Sequence, residues 1–125
     1  MTSATCVAPG VEPADLPGPA DVAELARLAA RFGLLADPLR LQIVDALARE
    51  QLCTCHLIEI TGAKQTTVSH HLRLLREAGV VVGEPEGRFT WYRLVPDAFV
   101  IGAGRLQALA QAPADVARLR LPCAP

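Results

Sequence analysis

A glycine that separates two amphipathic helical patterns is the strongest constraint on the fold of this chain. Residues 54–61 form a short helical pattern with three large aliphatic side chains, and a longer helical pattern follows Gly62 and stops before Gly79. Glycine tolerates the left-handed backbone conformation that commonly ends a helix, so Gly62 predicts a tight turn between two helices. Two helices joined in this way predict a helix-turn-helix motif.

Two β-rich runs follow the second of these helices. Residues 80–82 are three valines, residues 89–94 combine β-branched and aromatic side chains, and residues 83–88 contain two glycines and a proline. Such runs on either side of a turn-forming segment predict a β-hairpin. The predicted fold is therefore mainly α with a β-hairpin wing (α+β), that is, a winged helix-turn-helix.

Further helical patterns flank this motif. One covers residues 21–33, a second begins at the capping pair Asp37-Pro38 and extends to about residue 50, and the last covers about residues 96–112. Glycines at positions 102 and 104 weaken the last helix, so a break near Val100 is an alternative. We expect a flexible proline-rich arm over residues 1–20, one winged helix-turn-helix domain over residues 21–112, and a C-terminal tail over residues 113–125.

The second helix of the motif has one apolar and one polar face. At helical periodicity Val68, Leu72 and Leu75 lie on one side, which predicts that this side is buried. Hydroxyl, amide, imidazole and guanidinium groups occupy the other side, and such groups can bind base edges or phosphates in a major groove. The candidate DNA-binding residues of this helix and its start are Lys64, Gln65, Thr66, Thr67, Ser69, His70 and Arg73. A solvated polar face is the alternative, but the short helix before and the hairpin after favour DNA contact.

The charge of the chain does not by itself indicate a nucleic-acid partner. The formal net charge is −1, whereas residues 63–93 alone carry a net charge of +2. DNA binding must therefore be local. Lys64 is unfavourable beside the positive end of a helix unless an anion lies there, so we expect it to contact a phosphate. Arg88, at the predicted wing tip, is a further DNA-binding candidate.

The cysteine content indicates a metal or metalloid site. Residues 1–10 lack the pattern of a signal peptide and no apolar run is long enough for a membrane span, so we expect a cytoplasmic protein with reduced thiols and no membrane partner. Cys53 and Cys55 are soft ligands that suit thiophilic ions. On a regular helix these two side chains point away from each other, so sharing an ion requires an extended or unwound segment. Inert buried thiols are the alternative.

The motifs Leu-Cys-Thr-Cys-His-Leu at residues 52–57 and Thr-Val-Ser-His-His-Leu at residues 67–72 resemble those of the ArsR-type (ArsR/SmtB) metalloregulatory repressors, arsenic-sensing branch. The resemblance covers about residues 21–97. It implies a homodimer formed by the first and last helices, binding to double-stranded operator DNA, no enzymatic activity, and release when As(III) or Sb(III) binds the thiolates. Cd(II) or Pb(II) as the inducer is the alternative.

The chain departs from this family's motifs at two places. Lys64-Gln65-Thr66-Thr67 replaces the usual Ser-Gln-Pro-Thr start of the recognition helix, and Ile58 occupies the position of a third cysteine. The resemblance implies that the third ligand is Cys6 in the N-terminal arm, with Cys123 and His56 as alternatives. The family's other site, on the last helix, is not expected, because residues 96–112 contain one acid, Asp97, and no histidine.

Two other functions remain as hypotheses. A thiol redox enzyme has little support, because the sequence has no Cys-x-x-Cys motif. A thiol redox-responsive regulator is compatible with Cys53 and Cys55. A plain DNA-binding or partner-binding module with inert cysteines is also compatible with the motifs.

Overall fold

The computed structural model describes residues 7–122. Helix α1 (Val22–Leu34) begins where the Asp21 carboxylate accepts the N–H of Ala23 at 3.0 Å. Helix α2 (Pro38–Leu47) begins similarly, because the Asp37 carboxylate accepts the N–H of Arg40 at 3.0 Å. Helix α2 ends about three residues earlier than predicted, since the chain turns there into a short strand.

The helix-turn-helix prediction is confirmed. Helix α3 (Thr54–Thr61) ends at Gly62, whose backbone has a φ of 71° and whose N–H donates to the Ile58 carbonyl at 2.8 Å. Helix α4 (Gln65–Glu77) follows, with Lys64 as its N-cap residue. The left-handed conformation at Gly62 lets the chain turn between α3 and α4 within a few residues.

A three-stranded antiparallel sheet packs beside these helices. Its strands β1 (Leu52–Cys53), β2 (Val81–Glu86) and β3 (Phe89–Leu94) have the spatial order β1-β3-β2. The predicted hairpin is present, but β2 continues through residues 83–86, which the sequence assigned to the turn. Pro85 is tolerated because β2 is an edge strand, and only Gly87 and Arg88 remain in the turn.

Strand β1 was not predicted. Leu52 pairs with Tyr92 and Cys53 pairs with Trp91, so β1 extends the wing sheet on the far side of β3. Strand β1 leads directly into α3 at Thr54. The wing and the first helix of the helix-turn-helix are therefore joined through two residues.

The buried core lies between α2, α3, α4 and the start of the hairpin. Leu57, Leu75 and Ile43 have no exposed surface. The whole cluster comprises Ile43, Leu47, Leu52, Leu57, Val68, Leu72, Leu75, Val80 and Val81. Apolar contacts in this core therefore fix how α3 and α4 are placed against the sheet.

The first and last helices leave much of their apolar surface exposed. A 3-10 turn (Pro96–Phe99) precedes helix α5 (Val100–Ala110), so the alternative of a break near Val100 is correct. Among the described residues, α5 has no buried side chain and α1 has one, Leu28. The exposed apolar residues of the two helices are Val22, Leu25, Val100, Ile101, Leu106 and Leu109. No described helix is long and apolar enough to cross a bilayer.

The described part of the N-terminal arm contacts the C-terminal tail. Val7 and Arg120 form an isolated antiparallel bridge, and the N–H of Ala8 donates to the Leu119 carbonyl at 3.0 Å. A 3-10 turn covers Pro13–Asp15. The proposed ligand Cys6 and its alternative Cys123 lie outside the described residues.

Candidate DNA interface and thiol site

The exposed face of α4 matches the predicted DNA-binding face. Val68 and Leu75 have no exposed surface and Leu72 is 2% exposed, so the helical angle identified the buried side correctly. The candidate residues Lys64, Gln65, Thr66, Ser69, His70 and Arg73 are exposed, and Thr67 is partly buried. One end and one side of α4 thus present the polar groups that a major-groove helix uses.

Two of these side chains are already in contact with each other. Nη2 of Arg73 donates to Nδ1 of His70 at 3.2 Å, and Nε of Arg73 lies 3.8 Å from the Glu77 carboxylate. All three groups are exposed, so the ion pair is weak and a phosphate could replace Glu77 as the partner of Arg73. His70 is held on the solvent face by this contact.

Lys64 is placed at the positive end of α4. It has extended backbone angles (φ −70°, ψ 153°) and its side chain makes no capping bond. It takes part in no salt bridge among residues 7–122. The first N–H groups of α4 and the Lys64 ammonium therefore both favour an anion at this helix terminus.

The wing presents Arg88 at a two-residue turn. Gly87 has a φ of 62°, a conformation that glycine adopts without strain, and Arg88 beside it is exposed. Behind the tip, Nε of Arg93 donates to the Glu84 carboxylate at 3.0 Å. Glu84 is thus partly neutralised, whereas Glu86 has no basic partner among the described residues.

His71 lies on the inner side of α4. Its ring is partly buried, and Nδ1 lies 3.5 Å from Nη1 of Arg40, whose Nε donates to the Leu34 carbonyl at 2.7 Å. Burial lowers the pKa of His71, and the nearby Asp37 carboxylate opposes that shift. Arg40, which no sequence pattern singled out, therefore connects the end of α1 to α4.

The two cysteines lie on either side of the start of α3. Cys53 is 3% exposed, has extended backbone angles (φ −87°, ψ 167°) and is both the last residue of β1 and the N-cap of α3. Cys55 is exposed in the first turn of α3. The backbone is thus extended at Cys53, as the i, i+2 spacing requires, but it is already helical at Cys55. Burial raises the pKa of the Cys53 thiol, and Cys55 and Glu86 shift it further in the same direction.

His56 caps the same helix end. Its Nδ1 accepts the backbone N–H of Cys53 at 3.0 Å, and the Cys53 side chain faces the N–H of His56 in a reciprocal capping box. The His56 ring lies against Trp91, with centroids 5.7 Å apart and planes at 40°. The sequence suggested His56 only as a metal ligand. Its position three residues after the N-cap was the signal for its capping role.

The described residues include the two candidate metal ligands Cys53 and Cys55. Within residues 7–122 no three His, Cys, Asp or Glu side chains are grouped so that they could hold a metal ion. Cys53 and Cys55 offer two soft sulfur donors near each other in sequence, which fits a thiophilic ion but leaves its coordination incomplete.

Comparisons with known proteins match this geometry. The sequence model described as "Bacterial regulatory protein, arsR family" matches residues 37–82. The transcriptional regulator NmtR of Mycobacterium tuberculosis is 41% identical over 86 residues, which cover 68% of this chain and 72% of that protein. The chain belongs to the ArsR family. The family and the fold are those of DNA-binding transcription regulators and not of enzymes.

Other ArsR-family relatives carry the names of different metals. The cadmium resistance regulator CadC of Listeria innocua is 42% identical over 62 residues (49% of this chain), and the arsenic resistance regulator ArsR1 of Pseudomonas putida is 39% identical over 67 residues (53% of this chain). Each match spans 52% of the relative, about half its length.

A solved structure shares the ArsR-family fold. The homodimeric winged helix-turn-helix domain Mb0332 of Mycobacterium bovis, a possible ArsR-family regulator, superposes with a TM-score of 0.58 at 32% identity, covering 76% of this chain and 90% of that one. The winged helix-turn-helix assignment is thereby confirmed.

Proposed function

We propose that this chain is a metalloid-responsive repressor that binds operator DNA as a homodimer and releases it when As(III) or Sb(III) binds cysteine thiolates. The observation that carries the proposal is the position of Cys53 and Cys55. They lie where the wing sheet continues into the first helix of the helix-turn-helix. A change at this junction would reach both the wing and the helix-turn-helix.

The operator contacts divide into two groups. Lys64, Arg73 and Arg88 are exposed cations that would bind phosphates and fix the position of the domain on double-stranded DNA. The side chains that would reach base edges in the major groove are Gln65, Thr66, Thr67, Ser69 and His70.

Dimer formation would bury the apolar surfaces of α1 and α5. Ile101 is 71% exposed and Val22 is 77% exposed, although both are large apolar side chains. Phe32 of α1 packs closely on Gly102 of α5, since a Cβ added to Gly102 would lie 3.2 Å from the Phe32 ring. The two helices therefore already form one surface. A two-fold dimer also matches the symmetry of a palindromic operator.

The inducer site would consist of Cys53, Cys55 and a third thiol. Arsenite suits three sulfur ligands, and each As–S bond replaces one As–OH bond and one S–H bond with release of one water. Cys6 is our choice for the third ligand and Cys123 is the alternative. Nδ1 of His56 already accepts the Cys53 N–H, which favours a thiol over this histidine. A reducing cytoplasm would keep these thiols free.

A Cd(II)- or Pb(II)-responsive repressor is the second candidate. The similarity to CadC, a cadmium resistance regulator, favours it, and thiolates also bind these soft ions. The protein fold and the cysteines used would be the same, so only the selectivity of the site separates the two candidates.

An operator gel shift titrated with arsenite, antimonite, Cd(II), Pb(II) and peroxide tests these assignments. Release by arsenite or antimonite at the lowest concentration, abolished in Cys53→Ser and Cys55→Ser, supports the first proposal. Cys6→Ser and Cys123→Ser assign the third ligand. Release by Cd(II) or Pb(II) alone supports the second candidate, and release by peroxide alone identifies a redox regulator. No release by any of them, with the Cys53→Ser protein unchanged, contradicts every sensing function.

A further inference from the structure

We propose that His56 is a positioning residue that transmits the state of the thiol site to the wing through Trp91. This inference rests on the proposed function, in that it assumes that Cys53 and Cys55 bind the inducer. It assigns to His56 a role other than that of a ligand, and it specifies the route by which the signal reaches the wing.

The first observation is the backbone pairing of the thiol site with the wing. Cys53 pairs with Trp91 across β1 and β3, and Leu52 pairs with Tyr92. Cys53 is almost completely buried there. Because paired strands are held by backbone hydrogen bonds, a displacement of Cys53 must either move β3 or break this pairing.

The second observation is the double contact of one side chain. Nδ1 of His56 accepts the Cys53 N–H at 3.0 Å, while the ring of His56 lies 5.7 Å, centroid to centroid, from Trp91. His56 therefore contacts the backbone of a thiol residue and the side chain of the wing residue paired with that same thiol residue. These contacts form a closed triangle of Cys53, His56 and Trp91.

Inducer binding would act on this triangle directly. Cys53 is buried and Cys55 is exposed, so an ion bound by both thiols would displace at least one of them and the backbone between them. The bond from the Cys53 N–H to His56 spans the same turn and is the contact most exposed to that change. His56 would then shift against Trp91, which lies on the strand that begins after Arg88.

The wing can carry such a shift because its pairing is continuous. Trp91 pairs with Glu84 on β2 as well as with Cys53 on β1. Glu84 in turn accepts from Arg93 at 3.0 Å. A rotation or tilt of β3 would therefore move the whole hairpin, including the Arg88 tip, as one unit.

Trp91 is the only tryptophan of the chain, so tryptophan fluorescence reports on the surroundings of this one residue, which include His56. Two variants separate the contacts of His56. His56→Asn retains a hydrogen-bond acceptor without the ring, and His56→Phe retains a ring without the acceptor. Glu59→Gln, an exposed change on the same helix, is the matched control. Sodium arsenite is the probe, and thermal unfolding verifies that each protein is folded.

Three quantities are measured for each protein: arsenite affinity from sulfur–arsenic absorbance, the change in Trp91 emission on arsenite binding, and operator affinity with and without arsenite. We expect both His56 variants to bind arsenite within about twofold of wild type. In wild type, arsenite should weaken operator binding within the usual allosteric range of about 5- to 150-fold, and in both variants by less than about a third of the wild-type factor. The Trp91 emission change should decrease in parallel, whereas Glu59→Gln should behave as wild type.

Each outcome distinguishes the inference from the function beneath it. Wild-type protein that binds no arsenite contradicts both. Wild-type release with equal release from both His56 variants overturns the role of His56 and leaves the proposed function intact. Loss of arsenite binding in both variants shows that His56 is a ligand and also overturns the inference. If one variant fails to fold, the other still decides the outcome through the emission change and the operator affinity.

Discussion

Removal of the Lys64 charge should reduce the salt dependence of operator binding without weakening the fold. Lys64 stands at the N-terminus of α4 and has no acidic partner among residues 7–122, whereas Arg73 lies 3.8 Å from Glu77. Its ammonium therefore gives up no ion pair within the protein when it meets a phosphate. The substitution Lys64→Gln removes this charge and keeps most of the length of the side chain.

The size of the effect follows from one phosphate contact in each protomer. Each contact contributes about 0.9 to the slope of log K against log salt, so a dimer with Lys64→Gln should lose about 1.8. Between about 50 and 200 mM salt, the affinity of the variant should therefore fall about 12-fold less than that of wild type. Removing a cation from the positive end of a helix should leave stability unchanged or raise it by about 0.3–1 kcal/mol.

Fluorescence anisotropy of a labelled operator over this salt range measures the slope, and thermal unfolding measures stability. Arg49→Gln is the matched control, because it removes an equal charge whose partner is Asp45, at 3.0 Å, on α2. An unchanged slope for Lys64→Gln would refute the phosphate contact. An equal change for Arg49→Gln would show that only the total charge matters and that the site assignment is wrong.

Three further predictions test the core, the thiols and the inner face of α4. Leu57→Ala should lower the free energy of unfolding, measured in urea, by about 2–5 kcal/mol, because this side chain is fully buried. Ile60→Ala should lower it clearly less, because Ile60 is 46% exposed. Equal losses of stability would contradict this description of the core. Iodoacetamide should modify Cys55 before Cys53, which is buried and has a raised pKa, and mass spectrometry showing the reverse order would contradict the placement of the thiols. Burial lowers the pKa of His71 below its ordinary 6.5, so the contribution of the neutral imidazole to stability is present above that pH and is lost as the pH falls through the lowered value. Urea unfolding of His71→Gln should therefore show a flatter dependence of stability on pH than wild type. An unchanged pH dependence would contradict the burial of this ring.

Local signals in the sequence were sufficient for most helices. Asp37 and Pro38 specify the start of α2 through side-chain capping and a fixed φ, and neither effect depends on distant residues. The periodicity of Val68, Leu72 and Leu75 identified the face of α4 that packs on the core. Such short-range and periodic effects are the ones that sequence patterns record.

Strand β1 could not be predicted in this way. Leu52 and Cys53 are too few to show an alternating pattern, and they become a strand only because β3, far along the chain, pairs with them. The double contact of His56 depends on that same pairing, since it places Trp91 beside the start of α3. The sequence therefore placed the thiols at the start of the first helix of the helix-turn-helix, where the structure has them, but did not show their connection to the wing. The third ligand stays a prediction.

The uninterrupted pairing of the wing limits how its length can change in evolution. The register continues from Val81 opposite Leu94 to Glu86 opposite Phe89, and only Gly87 and Arg88 form the turn. Deletion of a single strand residue would force a bulge or a slipped register, because the only unpaired residues are the two that the turn itself needs. Insertion of one residue in each strand would preserve pairing but turn the tip, and Arg88 with it, to the opposite face of the ribbon. Only steps of two residues in each strand would lengthen the wing and keep Arg88 on its present side.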